Sequence, residues 1–488
     1  MGWMKRMVQK WLQIQPALQQ TAYLTERSTN ETRAIINKIW YRGDADELDQ
    51  LYKQIYQGPG ATGRFWAASP KSGIRKIHTG LPAIMVDTLV NLVRGDLPDM
   101  DFTDPATAAR WEELAEEIGW QNLIGEALTG TLVEGDGAFK LSIDASLSDH
   151  PLVEFAPTTG VDLRFRRGHF AGANFRTMYT GLGGKVYELV EEYQPGRVGL
   201  QLLDNEQPAA LSCVPELSDL KPVEHDKRVC LAVPFRVFSS SRWPGRGASI
   251  YEKKTDAFDA LDEVASQWLD AVRAGRVKQY IPEDLLPKSV ETGGLMAVND
   301  FGSKFIALQT GTHENDVSKI DTVQPEIRYE AYLSTYMTAL DMCLQGILSP
   351  ATLGIDVGKM SSGEAQREKK DVTGNTRNAI TAAMEQVLPK LAETILQADD
   401  IMHDRPTSTY EASITFGEYG APDFDSRVET VAKARAAGIM SDQAAVDELW
   451  GSSKEDDWKA AEVKRIQQER GIMEAEEPAV AEAAAEKW

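Results

Sequence analysis

The part of the sequence that decides the fold begins SIYEKKTDAFDALDEVASQWLDAVRA at residues 249–274 and extends to Ile401. Apolar residues recur there at steps of three and four, which is the period of an α-helix with one apolar face. At about 1.5 Å per residue the predicted helix is a rod about 40 Å long, and Gly275 is placed to end it. The apolar stripe consists of Ile250, Phe258, Leu261, Val264, Ala265, Trp268, Leu269 and Val272.

A second helix of the same kind is predicted between Pro325 and Pro350, because proline suits the first turn of a helix and disrupts its interior. Residues 277–324, between the two helices, contain short β-prone runs separated by Gly, Asn, Asp and Pro. This insert is too short for a core of its own and would lean on neighbouring copies. The pattern predicts a hairpin of two long helices carrying a small lobe. The apolar stripe of this second helix consists of Tyr329, Leu333, Tyr336, Leu340, Cys343, Leu344 and Ile347.

A loop and a third helix are predicted after this hairpin. Residues 349–363, SPATLGIDVGKMSSG, contain three glycines and show no periodicity. Ser361 and Glu364 have the spacing of a capping box, which marks the start of a helix. Pro389 lies in the apolar part of that helix and should kink it.

Upstream, the period of the sequence changes from helical to alternating. Residues 28–91 and the residues after Pro105 are helical in pattern, whereas residues 130–238 form short alternating runs broken by Gly, Pro and Asn. This pattern favours an antiparallel β lobe, and the predicted fold class is α+β. Within the lobe, Gly181-Leu-Gly-Gly-Lys185 lacks the spacing of a phosphate-binding loop and is predicted to be a hairpin turn.

Motifs elsewhere in the chain add to this pattern. Ser362-Gly-Glu-Ala365 follows the loop, ITFGEYGAPDFD lies at residues 414–425, and AGIMSDQA lies at residues 437–444. The amino-terminal half contains WYRGD at residues 40–44 and a long motif at residues 74–98. In their order along the chain, these motifs and the helix hairpin with its insert resemble the portal proteins of tailed bacteriophages. The resemblance covers most of the chain, and none of its motifs is catalytic.

The resemblance implies a portal fold, in which a helix-rich wing carries an antiparallel β lobe and two stem helices carry a clip. The expected divisions are a wing at 1–248 with its β lobe at about 130–240, a first stem helix at 249–276, a small α/β clip at 277–324, a second stem helix at 325–348, a tunnel loop at 349–362, a kinked wing helix and return strand at 363–425, and a helical crown with a tail at 426–488.

The function that the resemblance implies is structural and not enzymatic, with no cofactor, no catalytic residue and no metal. Portal proteins form a ring, here expected to have twelve subunits, at one vertex of the capsid, where the genome is packaged and ejected. The expected partners are the terminase large subunit, the major capsid and scaffolding proteins, the head-tail connector, and double-stranded DNA that passes without sequence-specific binding. The expected location is the virion, after assembly in the host cytoplasm and without a membrane.

Candidate site residues follow from the same resemblance. The tunnel loop would project Gly354, Asp356, Gly358, Lys359 and Met360 into the channel, and its glycines would let it change conformation. A second group of cations would contact the channel or a neighbouring subunit, although a solvated helix face is the default explanation for the four of them on the third helix. This group consists of Arg273, Arg276, Lys278, Arg367, Lys369, Lys370 and Arg377.

Composition limits the function further. The 488 residues have a formal net charge of −22, which argues against a tight, sequence-independent grip on DNA because such a grip needs clustered Lys and Arg. An acidic channel would let DNA slide, but excess acid also simply keeps proteins soluble. The three cysteines, Cys213, Cys230 and Cys343, are unevenly spaced and odd in number, so a disulfide framework is not expected.

Two alternatives from other classes remain open. Glu134-Gly-Asp136-Gly and the acidic run at residues 99–104 group carboxylates that could hold Mg²⁺ in a nuclease or transferase, although turn chemistry also explains them. Residues 1–15 form a basic amphipathic helix pattern that could lie on a membrane, as in a membrane-peripheral adaptor. The six histidines are scattered and include no zinc-ligand spacing.

Overall fold

The computed structural model describes residues 29–55, 65–67, 74–145, 147–181, 184–275, 278–282, 304–308, 321–323, 326–355, 363–417, 424–450 and 456–469. The fold is α+β, with helices and mainly antiparallel sheets. The chain divides into two compact units, Met1–Phe416 and Gly417–Trp488. The predicted amino-terminal helix at residues 1–15 lies outside the described residues.

Among the described residues, five helices precede the first long strand, and local chemistry explains their ends. Thr29 caps the first helix by accepting from the N–H of Thr32, and Gly43 ends it in the left-handed conformation. Asp104 caps the fourth by accepting from the N–H of Thr107, and the hydrogen bonds from the hydroxyl and the N–H of Thr107 lower the pKa of its carboxyl. The five helices are α1 (Asn30–Arg42), α2 (Ala45–Ile55), α3 (Leu81–Gly95), α4 (Pro105–Ile118) and α5 (Trp120–Glu134).

Helix α3 is central to the core of the first unit. It packs against α1, α5 and the long helix α8 (Gly363–Met402). Met85 and Leu89 of α3 and Met384 and Leu391 of α8 are fully buried, and each such side chain stabilises the fold by about 1.5–3 kcal/mol. The long helix continues through Pro389. The apolar half of α8 therefore packs on α3 and forms the other side of this core.

The β lobe consists of two antiparallel sheets, as the alternating pattern predicts. One has the order β10-β2-β3, and the other has the order β4-β5-β6-β7-β8 with β9 on β7. The N–H of Gly181 donates to the carbonyl of Lys185 at 2.8 Å between β5 and β6, so the predicted hairpin turn is confirmed. The strands are β2 (Asp136–Ser142), β3 (Leu152–Pro157), β4 (Val161–Arg166), β5 (His169–Thr180), β6 (Val186–Gln194), β7 (Arg197–Asp204), β8 (Gln207–Ala209), β9 (Val223–Glu224) and β10 (Ala232–Arg236).

Short strands connect distant parts of the first unit. Strand β1 (Asp101–Phe102) pairs with β16 (Ala412–Ser413), and β11 (Phe238–Ser239) pairs with β12 (Gly247–Ala248). Close to the first pair, the Arg110 guanidinium donates to Asp399 at 2.7 Å and to Asp400 at 2.8 Å. Both carboxylates are almost fully buried, and buried charges need such partners. These contacts tie α4 to the end of α8.

The two long helices predicted after residue 249 are present, with shorter bounds. The first, α6 (Thr255–Ala274), starts six residues later than the pattern indicated, because the N–H of Ile250 and the hydroxyl of Ser249 bond to the carbonyl of Leu132. The second, α7 (Tyr329–Leu344), ends before Pro350, since Gly346 adopts a left-handed conformation. Between them, β13 (Lys278–Pro282) pairs in parallel with β14 (Lys304–Leu308) and antiparallel with β15 (Asp321–Val323).

The second unit contains α9 (Phe424–Ala436), α10 (Asp442–Trp450) and α11 (Asp456–Glu469) among its described residues. Ser441 caps the start of α10, because its hydroxyl accepts from the N–H of Ala444 at 3.1 Å. Gly438 has a φ of 73°, which explains the break between α9 and α10.

Replacing Gly43 with alanine is expected to destabilise the first unit. Gly43 has a φ of 72°, and a Cβ there would lie 2.5 Å from Cδ2 of His78. Left-handed strain and the clash together should cost about 2–4 kcal/mol, measured as a lower urea midpoint. The matched control is Gly95→Ala at the end of α3, where no atom lies within 4 Å of the new Cβ. Equal midpoints for Gly43→Ala and the wild type would contradict this reasoning.

Candidate functional site

Helices α6 and α7 form an antiparallel pair, called here the stem hairpin. The Lys254 ammonium, just before α6, donates to the carbonyls of Met342 and Gln345 at 2.8 Å each. At the other end, a Cβ on Gly275 would lie 2.6 Å from Ile327. The start of α6 therefore lies beside the end of α7. A cation at the carboxyl end of a helix also stabilises the helix dipole and satisfies free carbonyls.

The middle of the stem hairpin is held by ring packing. The rings of Trp268 and Tyr336 lie 5.9 Å apart with a tilt of 59°, within the range of favourable aromatic contacts. Next to the end of α6 lies a groove of 820 Å³, lined among others by Ala271, Ile327 and Tyr332. The two helices are thus in contact in the middle of the stem hairpin and leave a groove beside the end of α6.

Buried polar side chains on α6 attach the stem hairpin to the segments at residues 65–67 and 74–79. Asp259 accepts from the N–H groups of Trp66 and Ala67 at 2.7 and 2.8 Å. Asp262 accepts from the N–H of Thr79 at 2.9 Å and lies 2.7 Å from Nδ1 of His78. These two carboxylates replace the backbone partners that an irregular buried segment would otherwise lack.

Burial and hydrogen bonding act in opposite directions on Asp259. Burial raises the pKa of its carboxyl, while the N–H groups of Ala67 and Trp66 oppose that rise. The bound amides therefore stabilise the charged form inside the protein. This carboxylate is a structural acceptor whose lone pairs are engaged.

The turn after α7 is fixed to α8 by two threonines. The hydroxyl of Thr373 accepts from the N–H of Ser349 at 2.9 Å, and the hydroxyl of Thr376 donates to the carbonyl of Ile347 at 2.7 Å. A short 3₁₀ helix at Pro350–Leu353 follows and ends at Gly354, whose φ is 70°. The entrance to the loop that follows is thereby anchored. The other predicted loop residues, Asp356, Gly358, Lys359 and Met360, lie outside the described residues.

The surface of the stem hairpin carries large apolar side chains that are exposed among the described residues. Tyr329 is 62% exposed and Leu333 is 43% exposed, and the two lie one turn apart on α7. Met342 and Val272 are also large apolar residues that are exposed. Large apolar residues grouped on one helical hairpin are typical of an interface.

The predicted cations are distributed over several elements. Arg273 is exposed in the last turn of α6. Lys278 is the first residue of strand β13. The first turns of α8 contain the predicted cations Arg367, Lys369 and Lys370. The predicted cations whose side chains lie outside the described part of the structure are Arg276, Lys278, Arg367, Lys369 and Lys370.

Arg377 does not lie on a solvated helix face. Its side chain is 1% exposed, and its Nη2 lies 2.9 Å from the Asp96 carboxylate. Arg377 lies between the polar start of α8 and its apolar half. The spacing of a single arginine there does not show whether its side chain is on the buried or the solvated face of the helix. A side chain enclosed within its own protomer cannot contact DNA or another subunit, so Arg377 belongs to the core.

The carboxylates considered for a metal enzyme have structural partners. Asp136 is fully buried, and its oxygens accept from Arg246 at 2.8 Å, from the N–H of Gly247 and from the hydroxyl of Thr158. Glu134 accepts from the N–H of Thr159 at 2.9 Å. Within the described ranges, no group of three His, Cys, Asp or Glu side chains could hold a metal ion. The turn at residues 134–137 is therefore a hydrogen-bonded connection.

Two further observations bear on the sequence predictions. The thiols of Cys213, Cys230 and Cys343 are free, and burial raises the pKa of Cys343 to about 12. Among the helices that the structure describes, none is both apolar and long enough to cross a membrane.

Sequence reasoning missed the residues that hold the stem hairpin in place. Asp259, Asp262 and Ser266 recur at steps of three and four, so they form a polar stripe of helical period on α6. Carboxylates between apolar residues usually indicate the solvated face. Buried partners for them could have been suspected only from the run of irregular sequence before Leu81, which needs acceptors for its amides.

No protein-family model and no curated protein matches this chain. Among solved structures, a chain of "Neck of empty GTA particle computed with C6 symmetry" is 12% identical, with 76% of this chain and 89% of that chain covered at a TM-score of 0.37. "Neck of native GTA particle computed with C12 symmetry" is 11% identical, covering 76% and 92% at 0.37. "Virion of native gene transfer agent (GTA) particle" is 10% identical, covering 86% and 98% at 0.36. At these TM-scores the likeness carries no argument about the fold or the function.

Replacing Asp259 with alanine should loosen the stem hairpin from residues 65–67. The buried N–H of Ala67 and the partly buried N–H of Trp66 would lose their acceptor, at a cost of about 2–4 kcal/mol. The effect is measured by urea unfolding. The control is Asp256→Ala, which removes an exposed carboxylate from the first turn of the same helix and should cost at most about 1 kcal/mol. If the two variants were equally stable, the bonds to Trp66 and Ala67 would not be a main attachment.

Replacing Lys254 with methionine tests the cap at the end of α7. Methionine keeps the aliphatic length but removes both donors, so the last turn of α7 should fray at a cost of about 1 kcal/mol. Hydrogen exchange of the amides near Leu344 reports this, with faster exchange expected in Lys254→Met. The neighbouring exposed residue supplies the control, Lys253→Met, for which exchange should stay at the wild-type rate. Unchanged exchange in both variants would exclude a capping role.

Proposed function

We propose that this chain is a portal-type subunit that assembles into a ring around a DNA channel. The observation that carries the proposal is the stem hairpin, whose α7 exposes Tyr329 and Leu333 on one face while its other face packs on α6. Neighbouring copies placed side by side would cover this face, and helices packed in this way would wall a channel. The order of sequence motifs that resembles portal proteins supports the same assembly.

The remaining parts take their roles from this arrangement. In the proposal, α1 to α5 and the β lobe form the wing, residues 277–324 form the clip, residues 349–362 form the tunnel loop, and the second unit forms the crown. The anchoring of Ser349 to Thr373 supports the tunnel-loop assignment, because it fixes where the loop leaves the stem. The clip and crown would meet the terminase, capsid, scaffolding and connector proteins named above.

DNA would pass without tight binding. A formal charge of −22 on every subunit repels the phosphate backbone, so few counterions would be released on contact. The remaining candidate channel or subunit contacts are the loop residues Gly354, Asp356, Gly358, Lys359 and Met360 and the cations Arg273, Arg276, Lys278, Arg367, Lys369 and Lys370. Such isolated cations would position the duplex without reading its sequence.

The test combines negative-stain electron microscopy with native mass spectrometry of the purified chain. We expect annular particles with a central hole and a mass about twelve times the 53.9 kDa of the chain. Tyr329→Asp/Leu333→Asp should remove these particles, because desolvating two carboxylates at the subunit contact is unfavourable. Circular dichroism should show that this variant remains folded.

The matched control introduces a carboxylate at an exposed apolar residue of the β lobe, Met178→Asp, and should leave the particles intact. A wild-type chain that stays monomeric or dimeric at high concentration would overturn the proposed function. Particles that survive Tyr329→Asp/Leu333→Asp would overturn the role assigned to the exposed face of α7.

A further inference from the structure

An edge of the β lobe concentrates arginines in a chain that is otherwise strongly acidic. Arg166 and Arg167 lie at the tip of the hairpin between β4 and β5, and both are exposed. Gly245 connects this tip to Arg236, since a Cβ on Gly245 would lie 3.2 Å from Phe165 and its carbonyl accepts from Arg236. Arg166, Arg167 and Arg236, called here the arginine edge, have no carboxylate within 4 Å among the described residues.

The backbone of the arginine edge departs from ordinary turn chemistry. Arg167 has a φ of 52° and Gly168 a φ of 81°, the two positive values of a type I′ hairpin turn, where Asn-Gly is the usual pair. An arginine in the left-handed region costs about 1 kcal/mol. Local stability does not account for this residue, and such departures are expected at functional positions.

Helix α4 has the opposite charge pattern. Glu112, Glu113, Glu116 and Glu117 are all exposed, and their spacing places them on one face of the helix. Pairs of like charge four residues apart destabilise a helix by about 0.2–0.5 kcal/mol each. No lysine or arginine of the described residues lies within 4 Å of these carboxylates. The four residues, called here the glutamate face, thus also lack ion-pair partners among the described residues.

The two patches lie at opposite ends of β2. Arg246, one residue from Gly245, bonds to Asp136 at the start of β2. Glu117 lines a cavity together with Ser142 at the end of β2. Seven residues of extended chain separate these ends by about 20 Å. The arginine edge and the glutamate face of one chain therefore cannot neutralise each other.

We infer that the arginine edge of one subunit binds the glutamate face of the next subunit. This inference rests on the proposed ring, because a head-to-tail ring needs two different, complementary surfaces on each chain. Bidentate arginine-carboxylate pairs would supply orientation as well as attraction. They would also offset, at the contact, the repulsion between subunits that each carry a charge of −22.

The test uses two charge-reversal variants, Arg166→Glu/Arg167→Glu and Glu112→Lys/Glu113→Lys/Glu116→Lys/Glu117→Lys, each purified alone and then mixed in equal amounts. Each variant alone presents like charges at every contact, so the fraction of chains in rings, measured by native mass spectrometry, should fall at least about tenfold. The mixture offers complementary contacts if the two variants alternate. It should therefore recover rings that contain both variants in equal number.

The outcomes separate the inference from the proposed function. Recovery of alternating rings in the mixture supports the inference and shows that each variant is folded. Wild-type rings together with unaffected rings of both variants would overturn the inference and leave the proposed function standing. A mixture that stays unassembled while the variant carrying all six changes also fails to form rings would likewise overturn it. A wild-type chain that forms no ring would overturn both.

Discussion

The structure depends on finding acceptors for backbone amides in the irregular segments at residues 65–67 and 74–79. These segments lie against α6, where the N–H of Ala67 is buried and those of Trp66 and Thr79 are partly buried, and α6 supplies the carboxylates of Asp259 and Asp262. An unsatisfied buried amide costs about 1–3 kcal/mol. The position of the stem hairpin is therefore specified by hydrogen bonds, and its apolar stripe need only fill the space between the helices.

Buried charges elsewhere in the first unit follow the same logic. Asp136 holds Arg246 and Gly247, Asp399 and Asp400 hold Arg110, and Asp96 holds Arg377. Each pair joins elements that are far apart in sequence, and removing one partner of a buried pair would leave the other uncompensated. Some of the acidic residues therefore form ion pairs that join elements inside the protein, and not all of them are solvated surface charges. The proposed subunit contact extends this use of paired charge beyond the single chain.

Periodicity predicted much of the fold. The apolar stripes indicated α6, α7 and α8, and alternation indicated the antiparallel lobe, because both signals repeat over many residues. The environment of a single residue and the exact end of a helix were harder to predict. Arg377 was assigned to the surface because one charge carries no period, and the start of α6 was placed too early because the bonds of Ser249 and Ile250 to Leu132 are tertiary. The pairing of β1 with β16 joins strands of two residues, too short for any pattern.

That short pairing also sets an order of events during synthesis. Strand β1 emerges from the ribosome about 300 residues before its partner β16, which at about 5–20 residues per second is a delay of about 15–60 s. The delay between the synthesis of α3 and that of α8, which packs against its apolar face, is almost as long. The nascent chain therefore exposes an unfinished core for much of its translation, and this apolar surface is open to aggregation or to chaperone binding in that interval.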